Sequence, residues 1–252
     1  MKKKYNMVIP MAGAGTRFQE SGIGSDPKPL LLLKGKPMIQ RVIENLYDDS
    51  INFIFIVQEE HIKDYNIDVL LKDIVNDCKI LSLDILTDGP LCSCLQAVKY
   101  FNNDLPLFIT NSDQVIEDWD LNSFLQHIKK YNLDAAVGTF DSQHPKNSYI
   151  QLNDQGLGIL LKEKEIISQH ATNGMHFWNS GTMFVNSACK MLCNKDTTNN
   201  EYYIAPSYNY LIQDGYRVGT YKFNKHFPIG IPEDFKLYSE RLKRKSKNVY
   251  HN

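Results

Sequence analysis

The stretch from Met7 to Leu30 restricts the fold of this chain more than any other. Val8, Ile9 and Pro10 read as the end of a buried strand, and Met11 leads into Ala12-Gly13-Ala14-Gly15, where no side chain exceeds a methyl. A turn of such residues lets the backbone approach whatever lies above it. Its successive N–H groups form an anion-binding concavity, and Thr16, Arg17 and Lys28 lie just downstream. The chemistry suits a nucleoside triphosphate, with Arg17 and Lys28 as fixed cations. Two better-known phosphate loops do not match. The Gly-x-x-x-x-Gly-Lys-Ser/Thr loop is absent, and Gly13-x-Gly15 lacks the third glycine of the dinucleotide fingerprint, where Phe18 stands. Taken alone, Gly13-x-Gly15 could be a turn that only closes a strand onto a helix, with Lys28 a solvated charge.

Beyond the turn, strand and helix patterns alternate. Met38, Ile39, Val42, Ile43 and Leu46 recur at helical spacing, 51–57 is an apolar strand, and a helix is predicted from about Glu60 to Val75. A strand over 80–86, a helix carrying Leu91, Leu95 and Val98, and a strand over 105–110 follow. This alternation predicts an α/β fold with a doubly wound, mixed but mostly parallel sheet, a Rossmann-like arrangement whose ligands sit at the carboxyl ends of the strands. The strand over 105–110 ends in Asn111-Ser112-Asp113-Gln114, which places Ser112 and Asp113 at such an end. An acid there can hold a hard divalent cation such as Mg2+, and equally can be a turn aspartate bonded to its own backbone. The second half has shorter strand patterns, at 134–140, 149–151 and 158–162, and reads as a β-rich portion. The whole of 1–252 is expected to be one domain, with about 1–120 binding nucleotide and about 121–252 binding the acceptor and ending in a helix.

The series Gly13-x-Gly15-Thr16-Arg17, a spacer, then Pro27-Lys28-Pro29-Leu30 resembles the signature of the sugar-phosphate nucleotidyltransferases, or nucleotide pyrophosphorylases. The resemblance implies transfer of a nucleoside monophosphate to a phosphorylated small molecule with release of pyrophosphate. It implies that Arg17 and Lys28 are catalytic, that Asp113 holds Mg2+, and that Met11 to Arg17, Lys28 and Ser112 contact the nucleotide. Thr87-Asp88-Gly89 falls where the resembling enzymes read the base. Asp88 could accept a hydrogen bond from cytosine N4, which favours CTP, or could cap the following helix. Glu163-Lys164 resembles the pair that holds the acceptor and its phosphate, and Lys146 and Asn179 complete the expected acceptor set. Gly174 to Gly181 resembles a strand-loop-strand, in which His176 and Trp178 are expected to pack. Ile229-Gly230-Ile231-Pro232-Glu233-Asp234 resembles a closing segment that in many members follows a second metal aspartate; Pro228 stands there in this chain. Compact members of the group include cytidylyltransferases acting on phosphocholine or, in capsule synthesis, on phosphoglutamine. Sugar-1-phosphate enzymes using UTP, dTTP or GTP are the alternative. A nucleotide-binding regulatory subunit, or a glycosyltransferase lacking one acid of its Asp-x-Asp motif, lies further off.

Composition narrows the setting. The net charge of −1 supplies no general attraction for nucleic acid, and no apolar run approaches the roughly 18 residues of a membrane span. A cytoplasmic protein is expected. Five cysteines without nearby histidine at zinc spacing are expected to be buried free thiols. Tyr202 and Tyr203 are expected in the core or at an interface, and a homodimer is compatible with the latter.

Overall fold

The structure is a computed structural model that describes residues 3–24 and 26–249. Strand β1 (Tyr5–Pro10) leads through the glycine turn into helix α1 (Thr16–Ser21), and a 3-10 turn at Lys28–Leu30 precedes the short hairpin β2 (Leu32–Leu33) and β3 (Lys36–Pro37). Then come α2 (Met38–Leu46), β4 (Ile51–Gln58), α3 (Glu59–Tyr65), α4 (Ile67–Ile74), β5 (Lys79–Leu83), α5 (Pro90–Gln96), α6 (Val98–Phe101), β6 (Leu107–Thr110) and β7 (Gln114–Ile116). The second half contains α7 (Leu121–Tyr131), β8 (Ala135–Asp141), β9 (Ser148–Leu152), β10 (Gly158–Glu163), β11 (His170–Trp178), α8 (Gly181–Cys193), α9 (Tyr208–Gln213), β12 (Val218–Lys222), β13 (His226–Pro228) and α10 (Pro232–Val249).

A nine-stranded sheet runs through both halves. β5, β4, β1 and β6 lie parallel side by side, β11 enters antiparallel beside β6, and β8 and β12 follow beyond it. The hairpin β9–β10 attaches to the amino-terminal part of β11 through Ala171 and Tyr149. The fold is the expected mixed, mostly parallel doubly wound sheet. Its central strands are apolar on both faces because helices cover both: Met7, Phe53, Phe55, Phe108 and Phe177 face one core, and Val8, Ile54, Ile56, Ile109 and Trp178 the other. No helix among the described residues is long and apolar enough to cross a membrane.

Local departures from the sequence reading have physical causes. The helix expected over 60–75 is split, because Asn66 takes a left-handed φ of 51° between α3 and α4. The strand expected to reach Leu86 stops at Leu83, where its pairing to β4 ends at Gln58, and Ile85 and Leu86 are exposed. Gly174 to Gly181 is no strand-loop-strand. It is the end of β11, bulged between Thr172 and His176, followed by α8, whose first turn is capped by the Ser180 hydroxyl accepting from the Met183 N–H. Of the cysteines only Cys94 is buried, while Cys189 and Cys193 are exposed on α8. His176 and Trp178 do pack, ring on ring with Tyr208.

Candidate active site

The carboxyl ends of β1 and β6 and the loop after β5 enclose a cleft of about 410 Å³, within the usual range for a small-molecule site. Its floor is the turn Met11 to Gly15. Gly15 adopts φ 63° at the start of α1, and a Cβ there would stand 3.4 Å from the Lys28 Cβ. Gln58, at the end of β4, braces the turn from the side: its amide donates to the carbonyls of Ala12 and Gly13, both at 3.0 Å. The Met11 N–H donates to the Ile56 carbonyl at 2.8 Å, so the open side of the turn is left to the N–H groups that follow it. Thr16 and Arg17 form the first turn of α1, but their side chains lie outside the described residues.

Lys28 and Asp113 meet in this cleft. The Lys28 ammonium donates to the Asp113 carboxylate, and both side chains keep about a quarter of their surface exposed, 22% and 25%. Gly230 lies directly behind, since a Cβ there would come 2.5 Å from Asp113 Oδ2 and 3.5 Å from Lys28 Nζ. The Ile229 N–H fixes the Asp113 carbonyl at 2.8 Å, and Pro228 pairs with Gln114 in the β7–β13 register. Ser112 and Asn111 complete this wall. Gln114 donates through Nε2 to Thr110 Oγ1 and lies 3.0 Å from His226 Nε2 through its oxygen. Burial pulls His226 down to about 4 despite the opposing carboxylates of Asp113 and Asp118, so its ring is neutral at neutral pH.

Thr87, Gly89, Pro90 and Ser93 line the same cleft as Asp113. Thr87 Oγ1 lies 2.6 Å from Ser93 Oγ and donates to the Gly89 carbonyl at 3.0 Å. Gly89 has φ 116° and presses against the Tyr202 backbone, which would be 2.7 Å from a Cβ. Two further backbone bonds, Tyr202 N–H to Asp88 carbonyl and Leu91 N–H to Tyr202 carbonyl, pin the segments together. The Asp88 side chain is exposed and is not part of the cleft lining, so the structure brings Thr87 and Gly89 to the site but not the carboxylate between them.

The acceptor residues divide. Glu163 is held by the Ser148 hydroxyl, and burial pushes its carboxyl up, against the pull of Ser148 and Lys164. Lys164 donates to Tyr203 Oη, and that hydroxyl donates to Glu201, which lines the cleft. Lys164 is thereby linked to the nucleotide wall. Lys146 lies apart, exposed and 3.4 Å from Asp234 in the first turn of α10. Asn179 is at the far end of the sheet: it follows Trp178, which pairs with Leu107 at the start of β6, whereas Asp113 follows the end of that strand. Its amide donates to the Leu133 carbonyl at 3.0 Å, so it ties β11 to the end of α7 and does not join the cleft.

A family profile described as a MobA-like NTP transferase domain matches residues 7–189. The chain belongs to this family. Among curated proteins, it is 32% identical over 161 residues to the bifunctional protein GlmU of Methanocaldococcus jannaschii, a match covering 62% of this chain and 35% of that protein. The chain thus spans about a third of that relative's length. Among solved structures, the nucleoside-diphosphate-sugar pyrophosphorylase of Vibrio cholerae RC9 superposes with a TM-score of 0.81 at 21% identity, covering 93% of this chain and 99% of that one. The inositol-1-phosphate CTP transferase of T. maritima superposes at 0.69 with 14% identity, covering 93% and 92%. Both show the same fold, and the resemblance read from the glycine turn and Pro27-Lys28-Pro29-Leu30 is borne out at the level of family.

In this MobA-like domain several lining or bracing residues carry little signal in the sequence. Gln58 could have been noticed as the polar end of an apolar strand. Ser93, Glu201 and the Gln114–His226 pair reach the site through tertiary contacts that spacing does not reveal. Asn173, beside the Gly174 bulge, is 3% exposed with no partner for its Nδ2 among the described residues, and nothing in its sequence context marks it.

Proposed function

We propose that this chain transfers a nucleoside monophosphate from a nucleoside triphosphate to a phosphorylated small molecule, releasing pyrophosphate. One observation carries the reading: the braced glycine turn, the Lys28 ammonium and the Asp113 carboxylate converge on one cleft at the carboxyl edge of the sheet. The acceptor phosphate oxygen attacks the α-phosphorus, the bond to the bridging oxygen breaks, and pyrophosphate leaves with that electron pair. A phosphate nucleophile is already ionised at neutral pH, so the protein needs no general base; positioning and charge neutralisation supply the catalysis.

The N–H groups of the turn after Met11, whose own N–H donates to the Ile56 carbonyl at 2.8 Å, bind the triphosphate, and Arg17 neutralises its β and γ groups. Lys28 leaves Asp113 for the α-phosphate, where negative charge accumulates as the new bond forms. The residues fit Mg2+: Asp113 already holds a cation, the Lys28 ammonium, and a magnesium ion shared with substrate phosphates needs only one or two protein carboxylates. When bound, such an ion would screen the phosphate charges and polarise their oxygens. Ser112 lines the nucleotide side, while Glu163 and Lys164 orient the acceptor, with Lys146 further out on the same side.

The finer reading is CMP transfer from CTP to phosphoglutamine, phosphocholine or a related acceptor in capsule or cell-surface polysaccharide synthesis. Transfer to a sugar-1-phosphate stands level with it, because the exposed Asp88 carboxylate does not line the cleft and a nucleoside-diphosphate-sugar pyrophosphorylase shares the fold. Pyrophosphate release measured for the four ribonucleoside triphosphates and dTTP against phosphorylated sugars, aminoalcohols and amino-acid amides tests both. One productive pair supports the reaction and names its substrates, and no release with any pair contradicts it.

A further inference from the structure

The turn Asn111-Ser112-Asp113 is bracketed by Thr110, the last residue of β6, and Gln114, the first of β7. A buried side-chain bond closes the bracket: Gln114, 3% exposed, donates from Nε2 to Thr110 Oγ1 at 3.0 Å. With its nitrogen so used, the amide presents its oxygen to His226 Nε2 at 3.0 Å, and the imidazole is the donor. His226 Nδ1 is buried with no hydrogen-bond partner among the described residues, and the ring lies against Phe140 with centroids 4.8 Å apart. A ring held on one side by an aromatic and on the other by an amide has little freedom to turn.

Among the described residues lining the cleft, the other acid is Glu201, whose carboxylate accepts from the Tyr203 hydroxyl. No cluster of three His, Cys, Asp or Glu suited to a metal occurs among the described residues, and Pro228, opposite Gln114, offers no ligand. A lone carboxylate must therefore be aimed by its surroundings. Metal ligands are commonly fixed in this way by outer hydrogen-bond partners, whose loss costs about 10–100-fold in affinity.

We propose that His226 and Gln114 are positioning residues that hold the Asp113 turn in register, so that a single carboxylate serves the metal bound with the nucleotide. The inference rests on the nucleotidyl-transfer reading for the presence of that metal. Its test does not require turnover: Mn2+ is titrated by electron paramagnetic resonance into the full chain with the α,β-methylene analogues of the four ribonucleoside triphosphates and of dTTP in parallel.

His226→Phe keeps a ring against Phe140 but removes the donor, and should weaken Mn2+ about tenfold or more. Nucleotide analogue binding in chelator should stay within about twofold, a separation that general damage to the fold would not give. His226→Gln carries an amide nitrogen far enough out to replace Nε2 and should recover most of the loss, whereas His226→Asn should not. Mn2+ affinity in His226→Phe within about twofold of the parent chain overturns the assignment. If His226→Phe does not fold, equal affinities in the Gln and Asn variants overturn it. A parent chain that binds no Mn2+ with any of the five analogues overturns the proposed reaction and this assignment together, whereas normal parent binding with indifferent variants overturns the assignment alone.

Discussion

The Lys28 ammonium rests on the Asp113 carboxylate, with Gly230 packed so closely behind that no Cβ would fit without displacing the acid. Because both partners keep about a quarter of their surface in water, the pair itself stabilises the fold by only ~0–1 kcal/mol. A charge-assisted bond to phosphate is worth about 1.5–3 kcal/mol. Lys28→Ala should therefore lower turnover at least about tenfold while moving the thermal midpoint by no more than ~3 °C. Steady-state kinetics and a thermal melt on the same preparation check the two halves.

Gly230→Ala acts on the other partner. The added methyl would stand 2.5 Å from Asp113 Oδ2, and a short carboxylate side chain can relieve this only by rotating. Its turnover should need more Mg2+ than the parent chain, with little change in nucleotide binding measured in chelator. An unchanged Mg2+ requirement would show that Asp113 moves without consequence and is not the ligand.

Gly89→Ala should be costly in a different way. Its φ of 116° disfavours any side chain, and the obstruction is Tyr202 backbone, which cannot swing aside. A loss of about 1–3 kcal/mol in unfolding free energy is expected, together with weaker nucleotide binding as the turn pulls away from Tyr202. Urea unfolding and calorimetric titration with nucleotide measure these effects separately.

Asp88→Ala, by contrast, should leave the ratio of CTP to UTP use within about twofold, since the carboxylate is exposed and outside the cleft lining. A tenfold change, about 1.4 kcal/mol, would show that Asp88 turns inward when the base is bound.

Acid should destabilise the fold through His176. Burial depresses this ring from 6.5 to about 3, so the folded state keeps it neutral while the unfolded chain takes up a proton below its ordinary value. The stability it contributes is fully present above about pH 6.5 and is lost as pH falls towards 3. Between pH 7 and 5 the unfolded state gains about 2 kcal/mol from this one proton. His176→Phe should remove about that much from the pH dependence measured by urea unfolding at the two pH values.

The sequence was informative where chemistry and chain order coincide. Gly13, Gly15 and Lys28 are near neighbours in the chain, and Asp113 ends an apolar run, so spacing was enough to bring them together on paper. The doubly wound sheet followed from alternation because strands buried on both faces are apolar throughout. Asn179 shows the limit: its segment matches an expected motif, but β11 runs antiparallel to β6, and only strand direction tells that its end lies away from Asp113. The brace from Gln58, the link from Lys164 through Tyr203 to Glu201, and the Gln114–His226 contact join residues from different elements. Asn66 and Asp88 show a further limit, since backbone conformation and side-chain direction at a turn depend on neighbours that spacing does not name.

Phosphorus-31 NMR of one reaction mixture decides whether Asp113 and the glycine turn serve nucleotidyl transfer. With Mg2+, a nucleoside triphosphate and a phosphorylated acceptor taken from the pyrophosphate screen, two coupled signals of a new diphosphate diester should appear in step with pyrophosphate. Both should be absent with Asp113→Asn. Hydrolysis to free monophosphate without the diester, or undiminished diester formation by Asp113→Asn, would contradict that role.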